Sequence, residues 1–163
     1  EKAKLVIIGD QPGEVEDSVG DPLAGPMGKI INQCLKELGI KRSEIFFTNT
    51  VKHFSHSEAS SGKRSPRKPT GRQLHACKPW LEAEISKIKP QVILCLGVTA
   101  ATSISGKRPT LKLERGRSIV TKYSEHTIFT WHPINILGAS ESTSKLQLEQ
   151  LKSDIALAYS LIF

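Results

Sequence analysis

The feature that most restricts the fold of this sequence is the alternation of short apolar segments with longer segments of helical periodicity. The short segments have the length and the β-branched or aromatic content of strands. The predicted strands are 5–8, 45–50, 91–96, 119–123 and 127–131, and the clearest predicted helices are 26–38, 70–88 and 144–162. The resulting order, βαβαβαββα, predicts a three-layer α/β/α fold with a mainly parallel central sheet.

The carboxyl ends of the predicted strands carry polar residues. In a sheet of this kind, ligands bind beyond those ends. Asp10, Gln11, Asn49 and His132 follow or terminate strands, so we expect them to converge on one site. A chain of 163 residues is long enough for one core, and we expect a single domain over residues 1–163.

Each of these polar residues also has an ordinary structural explanation. Asp10 could cap backbone amides in a turn, and His132 could bond to loop backbone. Burying the Asn49 amide without a partner would cost about 1 to 3 kcal/mol, so either the protein or a ligand should pair with it. Together, however, a carboxylate and an imidazole at one cleft suit the stabilisation of a separated cation and anion, and an amide suits a planar ligand edge.

The charge of the chain favours a polyanionic partner. The net charge is +7, and five of the 23 Lys and Arg residues lie within 62–72. That segment is too rich in Gly and Pro to form a helix. We predict a loop that contacts phosphates over the cleft through Lys63, Arg64, Arg67 and Lys68. The alternative is a solvated, mobile loop.

Several other classes of protein are disfavoured. Three cysteines cannot all pair, and none lies in a C-x-x-C element, so we expect reduced thiols and no metal site. No apolar run approaches the ~20 residues of a membrane span, and the first residues lack a signal-peptide pattern. We therefore expect a soluble, cytoplasmic protein with no membrane contact. No G-x-G-x-x-G or P-loop follows the first strand, which disfavours a nucleotide-binding enzyme of the doubly wound type.

Five motifs occur in a fixed order over nearly the whole chain. They are GDQPGEVED at 9–17, GDPLAGPMG at 20–28, TNTVKHF at 48–54, KPWL at 78–81 and WHP at 131–133. This series resembles the uracil-DNA glycosylase superfamily, and it is nearest to the family 4 and X-type branch. The basic insert and His53 add to the resemblance to the X-type branch.

The resemblance implies a DNA-repair glycosylase. Members of this superfamily flip a damaged nucleotide into a pocket and hydrolyse its N-glycosidic bond. By the resemblance, Asp10 stabilises the sugar and orients water, and His132 binds the departing base. Asn49 reads the uracil edge, and the backbone of Gln11 helps to hold the base. The remaining implied contacts are Gly13 and Leu23 to the base, and Lys52, Pro133 and the four loop cations to uracil-containing DNA. We expect a monomer.

This sequence departs from the family pattern at informative positions. Leu23 replaces the Phe that stacks on the base, and Asp10 replaces a Glu. Ile134 follows the WHP motif where a small residue is usual. Arg67 lies where the X-type branch has a His that attacks the sugar and remains bound to DNA. Because Arg stays protonated, we expect hydrolysis with turnover. The alternative is a protein that only binds, or covalently traps, uracil or abasic DNA.

Most relatives also bind an iron–sulfur cluster through an upstream cysteine pair and two later ligands. The upstream pair is not in this sequence, and Cys77 and His53 fall near the two later positions. Cys34 and Cys95 belong to core-facing patterns. Because four thiolate-type ligands are the norm for such clusters, we expect no cluster and no other cofactor.

Overall fold

The computed structural model describes residues 3–162, which form seven helices, seven strands and a short 3₁₀ turn at Arg42–Glu44. The strands are β1 (Leu5–Gly9), β2 (Ile45–Asn49), β3 (His56–Glu58), β4 (Arg64–Pro66), β5 (Val92–Leu96), β6 (Ser118–Thr121) and β7 (Ser124–Thr130). The helices are α1 (Glu14–Val19), α2 (Pro26–Glu37), α3 (Gly71–Ile88), α4 (Gly97–Ser105), α5 (Leu111–Glu114), α6 (Pro133–Leu137) and α7 (Glu141–Ser160).

Five strands form the central sheet in the order β2-β1-β5-β7-β6. β1 lies between β2 and β5, with Leu5 opposite both Ile45 and Val92, and these pairs are parallel. β5 and β7 are also parallel, and β6 alone pairs in the antiparallel direction. The prediction of a mainly parallel sheet is confirmed.

The two faces of the sheet are covered by different helices. Alternate residues of β1 point to opposite faces, so Leu5 and Ile7 belong to one core cluster and Val6 and Ile8 to the other. The first cluster includes apolar side chains of α2, α6 and α7, and the second includes those of α3, α4 and α5. This arrangement confirms three layers. It also explains why the central strands are nearly continuous apolar runs.

Local signals fix the ends of the longer helices. Pro26 occupies the first turn of α2, where its missing N–H costs nothing. Thr70 and Gln73 form a reciprocal capping box at the start of α3, and Lys89 ends that helix in the left-handed conformation, with φ of 52°. α7 begins at Glu141, three residues before the predicted start.

The basic segment differs from its prediction. Instead of an irregular loop, residues 56–66 form a short antiparallel hairpin, β3–β4, in which His56 lies opposite Pro66. We call this element the basic hairpin. Its strands of three residues are too short for an alternation of polar and apolar residues to be recognised, which explains why composition alone indicated a loop. No helix within 3–162 is both long and apolar enough to cross a bilayer.

Candidate active site

The carboxyl edge of the sheet brings Asp10, Gln11, Asn49 and His132 together, as the strand pattern predicts. A small pocket at this edge is lined by side chains and backbone from the ends of β1, β2, β5 and β7. Its lining includes Gly9, Gln11, Gly13, Leu23, Asn49, His132 and Pro133. We call it the base pocket. Asp10 lies outside it, on the wall of an adjoining groove with a volume of about 700 Å³.

Asp10 and His132 are directly hydrogen-bonded. Asp10 Oδ1 accepts from His132 Nε2 at 2.9 Å and from the backbone N–H of Gln11 at 2.8 Å. His132 Nδ1 accepts from the backbone N–H of Ile134 at 3.2 Å. This pattern assigns the proton of the imidazole to Nε2, the nitrogen that faces Asp10.

The environment keeps the Asp10 carboxyl ionised. Burial alone would raise its pKa, but the hydrogen bonds from His132 and from the Gln11 N–H outweigh burial and lower the pKa from its ordinary value of 3.8. Within residues 3–162, Asp10 Oδ2 forms no hydrogen bond. A negatively charged oxygen therefore remains available beside the groove.

The position of the His132 side chain requires a glycine at residue 97. Gly97 has φ of +84°, and a Cβ there would lie 2.9 Å from the Cβ of His132. Any other residue would combine backbone strain with displacement of the imidazole.

Asn49 lines the base pocket. It ends β2 opposite Gly9, and a Cβ at position 9 would overlap Asn49 Oδ1. The amide has no hydrogen-bond partner among the residues that the structure describes. Its donor and acceptor groups are thus open to a ligand.

Glu16 is a buried wall of the pocket that the sequence analysis missed. Its Oε1 accepts from the backbone N–H of Gly25 at 2.7 Å. A Cβ at Gly13 or Gly25 would lie 2.5 or 2.7 Å from its carboxylate oxygens, so both glycines are needed for this packing. Helix α1, which carries Glu16, has only six residues and gives no periodic signal.

Sequence comparison identifies the family of this chain. The profile described as "Uracil DNA glycosylase superfamily" matches residues 1–155. This chain belongs to the uracil-DNA glycosylase superfamily.

Individual relatives point to the same superfamily. A "Type-4 uracil-DNA glycosylase" of Sulfurisphaera tokodaii is 36% identical over 142 residues, which cover 81% of this chain and 60% of that protein. One of Thermotoga maritima is 33% identical over 153 residues, which cover 91% of this chain and 74% of that protein. The chain thus spans about three fifths to three quarters of the length of these two relatives.

A solved structure supports the superfamily fold. The crystal structure of wild-type SMUG2 from Pedobacter heparinus superposes with a TM-score of 0.59 at 12% identity, covering 98% of this chain and 77% of that one. At this identity, the likeness concerns the fold alone.

Gln11 links the base pocket to the basic hairpin. Its Nε2 donates to the carbonyl oxygens of Arg67 at 3.0 Å and Ser55 at 3.3 Å, and its Oε1 accepts from the N–H of Ser55 at 3.1 Å. The Gln11 backbone N–H, which the resemblance assigns to the base, is engaged by Asp10. In this structure, Gln11 therefore anchors the hairpin and orients the carboxylate.

The predicted DNA-contacting cations of the hairpin segment occupy two different environments. Lys63, Arg67 and Lys68 are exposed, and of these Arg67 and Lys68 line the groove. Arg64 is paired with Glu14 at 3.1 Å and Asp17 at 3.2 Å, and so holds the hairpin to α1.

The ammonium of Lys52 is held by acceptors of the protein itself. Pro133 begins α6 and lines the base pocket.

Arg108 also lines the groove, although it was not among the predicted site residues. The Gly-Lys-Arg-Pro turn at 106–109 is the signal that could have indicated it.

The described residues do not fit an iron–sulfur cluster. Cys77 Sγ lies 3.8 Å from His53 Nδ1, but no group of three or more His, Cys, Asp or Glu side chains within 3–162 could hold a metal. Cys34 and Cys95 lie in opposite core clusters. Burial raises the pKa of Cys34 to about 11 and raises that of Cys95 further. Neither thiol is therefore a thiolate at neutral pH.

Proposed function

We propose that this protein flips uracil out of DNA and hydrolyses its N-glycosidic bond, releasing free uracil and leaving an abasic site. The observation that carries the proposal is the hydrogen-bonded Asp10–His132 pair beside a pocket that is lined by both His132 and Asn49, whose side-chain amide has no hydrogen-bond partner within residues 3–162. The names of the relatives support this activity, and the substrate is uracil-containing DNA.

The pocket suits a uracil edge. Uracil presents an N–H beside a carbonyl oxygen, and the Asn49 amide offers an acceptor and a donor to match them. Cytosine presents the opposite pattern at that position, which would leave the half-buried amide mispaired in this orientation. Leu23 supplies an apolar wall for the base.

The charged pair suits the chemical step. When the bond between the sugar carbon and the base breaks, both electrons leave with the base and the sugar becomes cationic. Asp10 stabilises that cation and orients a water through Oδ2. The water oxygen then bonds to the sugar carbon, and its released proton is passed to solvent. His132 transfers its Nε2–H hydrogen bond from Asp10 to the base oxygen as negative charge develops there.

The groove suits the DNA strand. Arg67, Lys68 and Arg108 line it and can contact phosphates. Ile134 and Leu137 also line the groove and are 49% and 55% exposed. They fit the gap that an extruded nucleotide leaves in the base stack.

Covalent trapping is less well supported than turnover. It requires an imidazole over the sugar, and Arg67 lies in the groove instead. His56 is stacked on Phe54 with ring centroids 5.0 Å apart, and its Nδ1 is bonded to the carbonyl oxygen of that residue. His53 faces Cys77.

A single-turnover assay tests the proposal. The protein is incubated with an oligonucleotide that contains one deoxyuridine, and free uracil and alkali-labile sites are both measured. We expect release by wild type, a loss of ~10²-fold or more in Asp10→Asn, and no loss in Glu141→Gln, which neutralises an exposed carboxylate on α7. Absence of free uracil, or a heat-stable protein–DNA band in denaturing gels, would contradict hydrolysis with turnover.

A further inference from the structure

Lys52 has a saturated ammonium group. Its Nζ lies 2.7 Å from each of three acceptors, namely Thr48 Oγ1, the carbonyl oxygen of Asn49 and Glu84 Oε2. An ammonium has three donors, so none remains for a phosphate. The ion pair with Glu84 is only partly exposed, at 26% and 33% of the two side chains.

The partners of Lys52 form a closed network. Glu84 Oε2 also accepts from Thr48 Oγ1 at 2.6 Å. Glu84 belongs to α3, whereas Thr48 is the penultimate residue of β2. The network therefore ties the carboxyl end of β2 to a rigid helix of 18 residues.

This network reaches the base pocket through the backbone of Asn49. The Asn49 amide has no hydrogen bond of its own within residues 3–162, so its direction depends on the peptide units on either side. The peptide that follows Asn49 is held at both of its polar groups. Its N–H, from Thr50, bonds to the carbonyl oxygen of Gly9 at 2.9 Å, and its carbonyl oxygen, from Asn49, accepts from Lys52 at 2.7 Å.

We propose that Lys52 is a positioning residue for base recognition, which acts through the Asn49 carbonyl and not through DNA phosphates. The inference rests on the proposed role of Asn49 in reading uracil. Removal of the ammonium leaves the peptide that follows Asn49 held only through the N–H of Thr50, and the amide then spends less time in the productive direction. Positioning of this kind affects the chemical step strongly, because small displacements of a recognition group reduce the rate.

The first test compares two lysines that pair with glutamates of the same helix. Lys52→Met removes the internal ammonium, and Lys122→Met removes an exposed one that pairs with Glu82 at 3.0 Å. On deoxyuridine DNA we expect kcat to fall about 10-fold or more in Lys52→Met, with KM and the salt dependence of DNA binding unchanged, and wild-type values in Lys122→Met. If Lys52→Met does not fold, Lys52→Arg keeps the charge, alters the donor geometry and permits the same comparison.

The second test is a double-mutant cycle with Asn49→Ala. If Lys52 acts through the Asn49 amide, Lys52→Met adds less than about 2-fold to the loss already caused by Asn49→Ala. Full multiplication of the two losses overturns the inference, as does a salt slope that falls by ~1, which is the signature of a lost phosphate contact. An active wild type with an unaffected Lys52→Met overturns the inference alone. An inactive wild type overturns the proposed function and the inference with it.

Discussion

At the scale of single residues, the central feature is a carboxylate that shares one oxygen between an imidazole and a backbone amide. The convergence of Asp10, Asn49 and His132 could be predicted from the sequence because they follow or end apolar strands, where the topology brings side chains together. Glu16 and Gly97 could not, since their roles depend on close packing between distant segments. Lys52 shows a related difficulty: a cation next to site residues suggests DNA contact, but the direction of its side chain depends on α3.

The pH dependence of the reaction follows from the Asp10–His132 pair. The pKa of Asp10 lies below 3.8 because His132 outweighs the effect of burial, so the carboxylate stays ionised as pH falls through 5. In His132→Ala the contact that lowers the pKa of Asp10 most is lost, while the Gln11 N–H and the effect of burial remain. We expect the single-turnover rate of this variant to be lower by ~10²-fold, with its acid limb at higher pH than in wild type. Coincident acid limbs in rate profiles from pH 4 to 8 would show that Asp10 does not control this limb.

A pair of glycines tests the placement of His132. Gly97 and Gly106 border α4 with φ of +84° and +76°, but only Gly97 faces a neighbour that a Cβ would meet. Alanine at either position should destabilise the fold by about 1–2 kcal/mol through backbone strain. Only Gly97→Ala should also slow uracil release, by about 10-fold or more, because it displaces the imidazole. Equal rates in the two variants, measured where unfolding curves show both of them to be folded, would argue against this account.

At the scale of elements, the basic hairpin is the part of the site that the sequence described least well. Its position over the groove could be predicted because it follows β2 in the chain. The pairing of its two strands could not be predicted. The pairing depends on contacts from outside the segment, namely those of Gln11 with Ser55 and Arg67 and those of Arg64 with α1. Helices α5 and α6 have four and five residues, too few for a periodic pattern.

The hairpin cations should divide into two groups in DNA binding. Lys63, Arg67 and Lys68 are exposed, and replacing all three by Ala should reduce the log–log salt slope by up to ~3. Arg64→Ala should leave the slope nearly unchanged, since its charge is already paired with Glu14 and Asp17. Fluorescence anisotropy over a salt series measures both, with Lys145→Ala on α7 as the control. A reduction of ~1 in Arg64→Ala would assign that residue to a phosphate instead.

At the scale of the whole molecule, a buried ion pair joins segments that are distant in the chain. Asp154 on α7 is 1% exposed and accepts from Arg115 Nε at 2.9 Å and from the hydroxyl of Thr130 at the end of β7. A Cβ at Gly116 would lie 2.7 Å from its carboxylate. The pair therefore connects α7 to the strand that leads into His132. The three-layer fold was predictable from the sequence, but this connection was not.

Loss of this connection should affect the stability of the entire domain. Asp154→Asn leaves the Arg115 charge without its buried counterion, and we expect the free energy of unfolding to fall by ~3–5 kcal/mol. Asp17→Asn, at an exposed pair, should cost no more than ~1 kcal/mol. Denaturant unfolding of the two variants measures the contrast. Similar midpoints for both would mean that the buried pair adds nothing to stability.

The anchoring of the basic hairpin by Gln11 fixes both ends of the segment independently of most of its sequence. Ser55 and Arg67 are held through their backbone groups, and the N–H of Arg67 bonds to the carbonyl oxygen of Ser55 at 2.8 Å. These bonds involve no side chain of residues 56–66, whereas the ion pairs of the hairpin with α1 use the side chain of Arg64. A graft of another sequence that keeps a cation at position 64 would therefore meet the same fixed ends and the same contact with α1.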